Sequence, residues 1–147
     1  MERCSLRTSF HKLGEKMKLV KLLLISSLVG TFLSANDVMQ KSMSTMEKGM
    51  ALIQKGFLNN NIDLIKEGNK LVNEGNELFS DKKLIVQYLP ENKKHMANIA
   101  ENASKRIALD VAEIEQNLQN KAFIKAGNSY SDMLNACSNC HSIVRGW

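Results

Sequence analysis

Asp37-Val38-Met39-Gln40-Lys41-Ser42-Met43-Ser44-Thr45-Met46-Glu47-Lys48-Gly49-Met50-Ala51-Leu52-Ile53-Gln54-Lys55-Gly56-Phe57 sets large apolar side chains at Met39, Met43, Met46, Met50, Ile53 and Phe57, in steps of four, three, four, three and four. Such steps hold side chains on one face of a 3.6-residue helix, whereas a half-buried strand would alternate every second residue. The stretch therefore predicts an amphipathic helix, N-capped by Asp37, whose seam faces other helices.

Downstream, Asn59-Asn60-Asn61 reads as a polar turn, and a second helix is predicted over 62–79 with Ile65, Val72 and Phe79 on one stripe. This helix contains an echo at seven residues, Glu67-Gly68-Asn69-Lys70-Leu71 and Glu74-Gly75-Asn76-Glu77-Leu78; Gly49 and Gly56 repeat the same spacing in the first helix. Glycine costs about 0.5–1 kcal/mol against alanine inside a helix, so the four predict close approach of two backbones or room for a large planar group. Residues 80–91 read as the longest connection, too apolar at Leu84, Ile85, Val86, Tyr88 and Leu89 for a loose linker, and are expected to lie over the bundle. A third helix is predicted over 91–119, opened by Pro90, with Met96, Ile99, Ala103, Ile107, Val111, Ile114 and Leu118 inward. A fourth begins near Asn120 and turns Phe123, Ala126, Tyr130, Met133, Leu134, Cys137, Cys140 and His141 to the core. With a single proline and little strand-like alternation, the reading is an all-α antiparallel four-helix bundle.

Upstream, Met17-Lys18-Leu19-Val20-Lys21 is a short basic start, residues 22–33 are mostly apolar, and Leu33-Ser34-Ala35 offers small residues before a cut ahead of Asn36. This is the pattern of a cleavable signal peptide over 17–35, with residues 1–16 as a doubtful extension and Cys4 without a role. The apolar run is shorter than the roughly 20 residues a membrane span needs. Six of the 20 Lys and Arg and two of the 15 Asp and Glu precede Asn36, leaving residues 36–147 near +1. The basic balance of the whole chain is thus largely a leader property and gives little support for nucleic-acid binding. Residues 36–147 suffice for one small domain.

The chemistry sits near the end of the sequence. Cys137-Ser138-Asn139-Cys140-His141 spells C-x-x-C-H, the attachment pattern of a c-type haem. Two thiols can form thioethers to haem vinyl groups, and the adjacent imidazole can ligate the iron. Positions i, i+3 and i+4 share one helical face. A zinc site would need about four ligands, and the one other histidine after the N-terminal region is His95. A thioredoxin-like C-x-x-C would need a strand before its helix, and a chance match remains the bland alternative.

A haem motif at the C-terminal end of an exported four-helix domain resembles the class II cytochromes c, the cytochrome c′ family and its low-spin relatives. The resemblance spans the predicted mature chain and is most specific over Cys137-Ser138-Asn139-Cys140-His141-Ser142-Ile143-Val144-Arg145, where Arg145 matches the family's basic residue four places after the haem histidine. It implies one covalently bound haem c, with Arg145 near a propionate. Family members place the residue facing the sixth iron position on the first helix; aligning Met39-Gln40-Lys41-Ser42-Met43-Ser44-Thr45-Met46 puts Met43 there, with Met46 beneath it and a one-turn slip to Met39, Met46 or Met50 as the alternative. Methionine at helical spacing is otherwise ordinary core.

The expectation is a periplasmic monohaem cytochrome that shuttles single electrons between redox partner proteins, is not an enzyme, keeps no membrane insertion once its signal is cut, and has His141 and Met43 as axial ligands. The alternative is a five-coordinate, cytochrome c′-like protein binding NO or CO; a third reading is a helical module with an incidental motif. The resemblance leaves open a homodimer through the first two helices. Lys82, Lys83, Lys93 and Lys94 flank the crossover as a docking patch or a solvated face.

Overall fold

In the computed structural model, which describes residues 35–145, the chain forms α1 (Ala35–Leu58), α2 (Ile62–Phe79), α3 (Lys82–Tyr88), a 3-10 segment (Glu91–Met96), α4 (Ala97–Gln119) and α5 (Phe123–Val144). No strand occurs among the described residues, so the class is all-α. The extension over 1–16, Cys4 and the leader up to residue 34 lie outside the described residues. Ala35, read as the last leader residue, already belongs to α1. Asp37 consequently does not cap the helix; it sits in the first turn, where a carboxylate suits the positive end of the helix dipole.

The α1 seam is rotated from its expected position. Its buried row is Met39, Ser42, Met46, Gly49, Ile53 and Gly56, while Met43, Met50 and Phe57 are half-buried. Small residues decide this, because the closest approach is between backbones. A Cβ on Gly68 would lie 2.5 Å from the Gly49 carbonyl oxygen, and a Cβ on Gly49 would lie 2.6 Å from that of Gly68. Gly56 faces Ile65, and Gly75 faces Met46 and Ser42, so α1 and α2 run antiparallel. The Ser42 hydroxyl donates to the Gly75 carbonyl at 2.7 Å across the seam.

The echo in α2 has a physical meaning. Each of its glycines admits α1, and the asparagine that follows reaches α4. Asn69 Nδ2 donates to the Val111 carbonyl at 2.9 Å and Asn76 Nδ2 to the Ser104 carbonyl at 3.0 Å. The receiving carbonyls are also seven residues apart, in descending order, which makes α2 and α4 antiparallel. Between α4 and α5 the ties are polar: Arg106 Nη2 donates to Asp132 at 2.9 Å, and Ser129 Oγ to Glu113 at 3.0 Å.

The turns 59–61 and 120–122 share one solution. Asn60 and Lys121 take left-handed φ values of 50° and 56°. Asn61 N–H reaches back to the Gly56 carbonyl and Ala122 N–H to that of Asn117, both at 2.8 Å, closing the last turns of α1 and α4. Asn61 Oδ1 then caps α2 by accepting from the N–H groups of Asp63 and Leu64 at 3.1 Å.

Three expectations need correction. The crossover is largely helical: Asp81 caps α3 through the Lys83 N–H at 2.8 Å, and Ile85 and Leu89, one turn apart, are its buried anchors. The third helix begins at Ala97 rather than Glu91, and its first turns bury Ala97, Ala100 and Ser104 in place of Met96, Ile99 and Ala103, small side chains admitting the neighbouring helices. On α5, Phe123 and Leu134 are exposed at 43% and 48%, because Ala126, Ser129, Met133 and Cys140 already fill the inward face.

Candidate functional site

The inward face of α5 carries the motif to the protein interior. Ala126, Ser129 and Met133 are buried; Cys137 and Cys140 continue their row, half-buried and 8% exposed respectively. The two cysteines are not joined by a disulfide. His141 is half-buried beside them. Burial raises both thiols above their ordinary value, and the neighbouring Cys140 raises Cys137 further. Burial, then the Arg145 charge, lowers His141, so its neutral imidazole, the ligating form, is favoured.

Cys140 and His141 line a narrow apolar cleft with Met43 of α1, walled by Phe79, Leu89, Ala100 and Val144. Residues almost a hundred positions apart in the sequence thus meet. The cleft opens outward past Met43, Tyr88 and Arg145 into a wider one of about 530 Å³ that also borders Gln40, Ser44 and Glu47. That volume lies in the usual range of small-molecule sites.

The methionine stripe is divided by its surroundings. Met39 and Met46 are core residues, 0% and 5% exposed, and Met46 packs on Gly75 in the α1–α2 seam. Met43 borders both clefts, and Met50 borders neither. His95 is exposed. Cys137 is not on the cleft wall; it packs on the core with Tyr130, whose ring lies 6.0 Å from that of Phe57. Among the described residues, no three His, Cys, Asp or Glu side chains converge as a metal-ion cluster.

Arg145 Nη2 donates to the Tyr88 hydroxyl at 3.2 Å, linking the end of α5 to α3. Lys93 Nζ donates to the Ile143 carbonyl at 3.0 Å, satisfying a helix-end acceptor. The lysine patch around the crossover is therefore largely engaged: Lys82 pairs with Glu101 at 2.9 Å and Lys94 with Glu91 at 2.6 Å.

Tyr88 is the cleft residue that sequence reasoning missed. It was legible only as one apolar position of the crossover, although an amphipathic ring beside Leu89 in a short capped helix is the residue type that lines a half-wet mouth. No family model, curated protein or solved structure matches the chain.

Proposed function

We propose that the chain is a periplasmic monohaem c-type cytochrome of the class II kind, a four-helix bundle with haem c on its last helix, carrying single electrons and making no bonds in a substrate. The observation that carries this reading is the shared cleft of Met43, Cys140 and His141.

The donor chemistry fits such a group. Two cysteines and a histidine are spaced along one side of α5, the imidazole is favoured as neutral, and a soft thioether from another helix shares the cleft with Cys140 and His141, while Cys137 packs beside it on the core. The inner cleft is narrower than a porphyrin, so accommodating one requires the Tyr88–Arg145 contact at its mouth to open. A haem c held here would supply a one-electron iron couple, whose potential a histidine and methionine ligand pair raises. His141 would ligate from α5 and Met43 from α1. Phe79, Leu89, Ala100 and Val144 limit water in the inner cleft, and Arg145 offers a cation to a propionate.

A second reading, a five-coordinate protein binding NO or CO, draws on the half exposure of Met43 beside an open cleft. One experiment separates the two. Protein matured in a cell competent for c-type assembly is expected to carry the mass of one haem and sharp low-spin absorption bands, and Met43→Ala to give broad high-spin bands and CO binding. High-spin bands in the unaltered protein select the gas-binding reading. Colourless protein without added mass ends both.

A further inference from the structure

Tyr88 has no part in the reading above, yet its surroundings place it firmly. α3 is capped by Asp81 through the Lys83 N–H at 2.8 Å, and its first residue, Lys82, reaches α4 at Asn98 (3.0 Å) and Glu101 (2.9 Å). Ile85 and Leu89 are its buried anchors, and beyond it Lys93 is tied to the Ile143 carbonyl. On a helix held at both ends and along its inner side, a ring with few torsions of its own has little freedom, and that of Tyr88 borders both the inner and the outer cleft.

Arg145 is placed differently. Its backbone N–H closes the last turn of α5 on the His141 carbonyl at 2.9 Å, but its side chain is exposed. Such a side chain has many rotamers, and the contact of Nη2 with the Tyr88 hydroxyl at 3.2 Å restricts them. Tyr88 accepts in that bond, so its own O–H remains to donate, as do the other guanidinium N–H groups. Donors from two elements, one of them charged, thus converge at the cleft mouth. On the opposite bank α1 places Gln40, Ser44 and Glu47, whose carboxylate makes the α3–α5 side the better one for an anion. Paired donors of this kind match the two oxygens of a carboxylate.

We infer that Tyr88 is a positioning residue: it holds Arg145 at the mouth and joins it in gripping one carboxylate of the haem proposed above, the contact between the two parting to admit it. The inference rests on that haem reading. It sets the carboxylate edge of the group in the outer cleft and its apolar body against Phe79, Leu89, Ala100 and Val144. A cation held beside an iron couple disfavours the more positive ferric state, and pairing the carboxylate cancels a charge that favours it. Tyr88 and Arg145 together therefore raise the reduction potential.

Redox titration of the mature, haem-loaded protein tests it. Arg145→Gln is expected to shift the equilibrium about tenfold toward ferric iron, roughly 59 mV for one electron, and Tyr88→Phe about threefold, roughly 30 mV. The double variant is expected to fall short of the sum, because both groups act on one carboxylate. Phenylalanine keeps the ring, so a merely structural role for Tyr88 shows only in the thermal midpoint and leaves the potential in place; that outcome overturns the inference. A full sum in the double variant overturns it as well. Shifts that vanish at about 1 M salt, where exposed charges are screened within ~3 Å, mark distant surface charges and also overturn it. Protein that carries no haem shows no couple and ends the haem reading together with the inference, whereas a couple that Tyr88→Phe leaves unmoved ends the inference alone.

Discussion

The α1–α2 and α4–α5 pairs are both antiparallel, yet they are held by opposite means. In the first, backbone meets backbone at Gly49 and Gly68, with the Val72 and Ile53 side chains packed against the same glycines. In the second, side chains reach across: Arg106, which also grips the fully buried Asp110 one turn along α4, pairs with Asp132 of α5, and Ser129 of α5 donates to Glu113 of α4. A backbone contact has no rotamer to change; a side-chain network has several. The cleft is thus bounded by a stiff wall, which presents Met43, and by an adjustable one, which presents Cys140 and His141. Any large group that enters must do so at the expense of the second.

The largest test of this contrast is one substitution made on both sides. Gly68→Ala drives a Cβ to 2.5 Å from a backbone oxygen and 2.8 Å from the Ile53 side chain and backbone nitrogen, so α1 and α2 must separate. It is expected to cost about 3 kcal/mol by urea unfolding, at the upper end of overpacking penalties. Gly127→Ala on α5 meets nothing within 4 Å and is expected to stabilise by about 0.5–1 kcal/mol. Equal effects at the two sites would break the distinction.

Methionines of α1 sharpen it next. Met39→Ala empties a fully buried position and is expected to cost about 3 kcal/mol while leaving the haem spectrum of the proposed holoprotein low-spin. Met43→Ala, at a half-buried position on the cleft, is expected to cost about 1 kcal/mol and to change the spectrum. If Met39→Ala altered the spectrum and Met43→Ala did not, the stiff wall would be presenting a different sulfur.

These pairings show what the sequence makes legible. The bounds of α2 follow from punctuation on both sides, a triple asparagine and Ser80-Asp81, and the glycines announced a backbone contact because their helix cost needs an offset. The spacing of Cys137, Cys140 and His141 predicts a shared helical face, and the structure sets Cys140 and His141 on the cleft with Cys137 off its wall. The rotation of the α1 seam was not legible, because counting large apolar residues overlooks that Ser42, Gly49 and Gly56 define the buried row. Tyr88 was hidden for a related reason: its meeting with Arg145 depends on how α3 folds back, not on any local pattern. Asp110 was hidden more deeply, since a carboxylate among α4 polar residues reads as solvated until Arg106 is seen above it.

Asp110 gives the smallest and most selective test, through pH. Burial raises its pKa above the ordinary 3.8, against the opposing effect of Arg106, so the folded state binds the proton more tightly than the unfolded chain. Stability from this group is complete below the unfolded value and is lost as pH rises through the window up to the folded one. Glu101 has the reverse sign: Lys105 and Lys82 hold its carboxyl down to about 2 from 4.5, so its contribution is present above 4.5 and lost as pH falls toward 2. Thermal midpoints measured against pH should therefore lose their upper slope in Asp110→Asn and part of their lower slope in Glu101→Gln. An unchanged upper slope in Asp110→Asn would mean that water reaches the carboxylate between α4 and α5. The two helix pairs would then differ in how dry they are as well as in how they are tied, and the adjustable wall would already be hydrated where a large group has to enter.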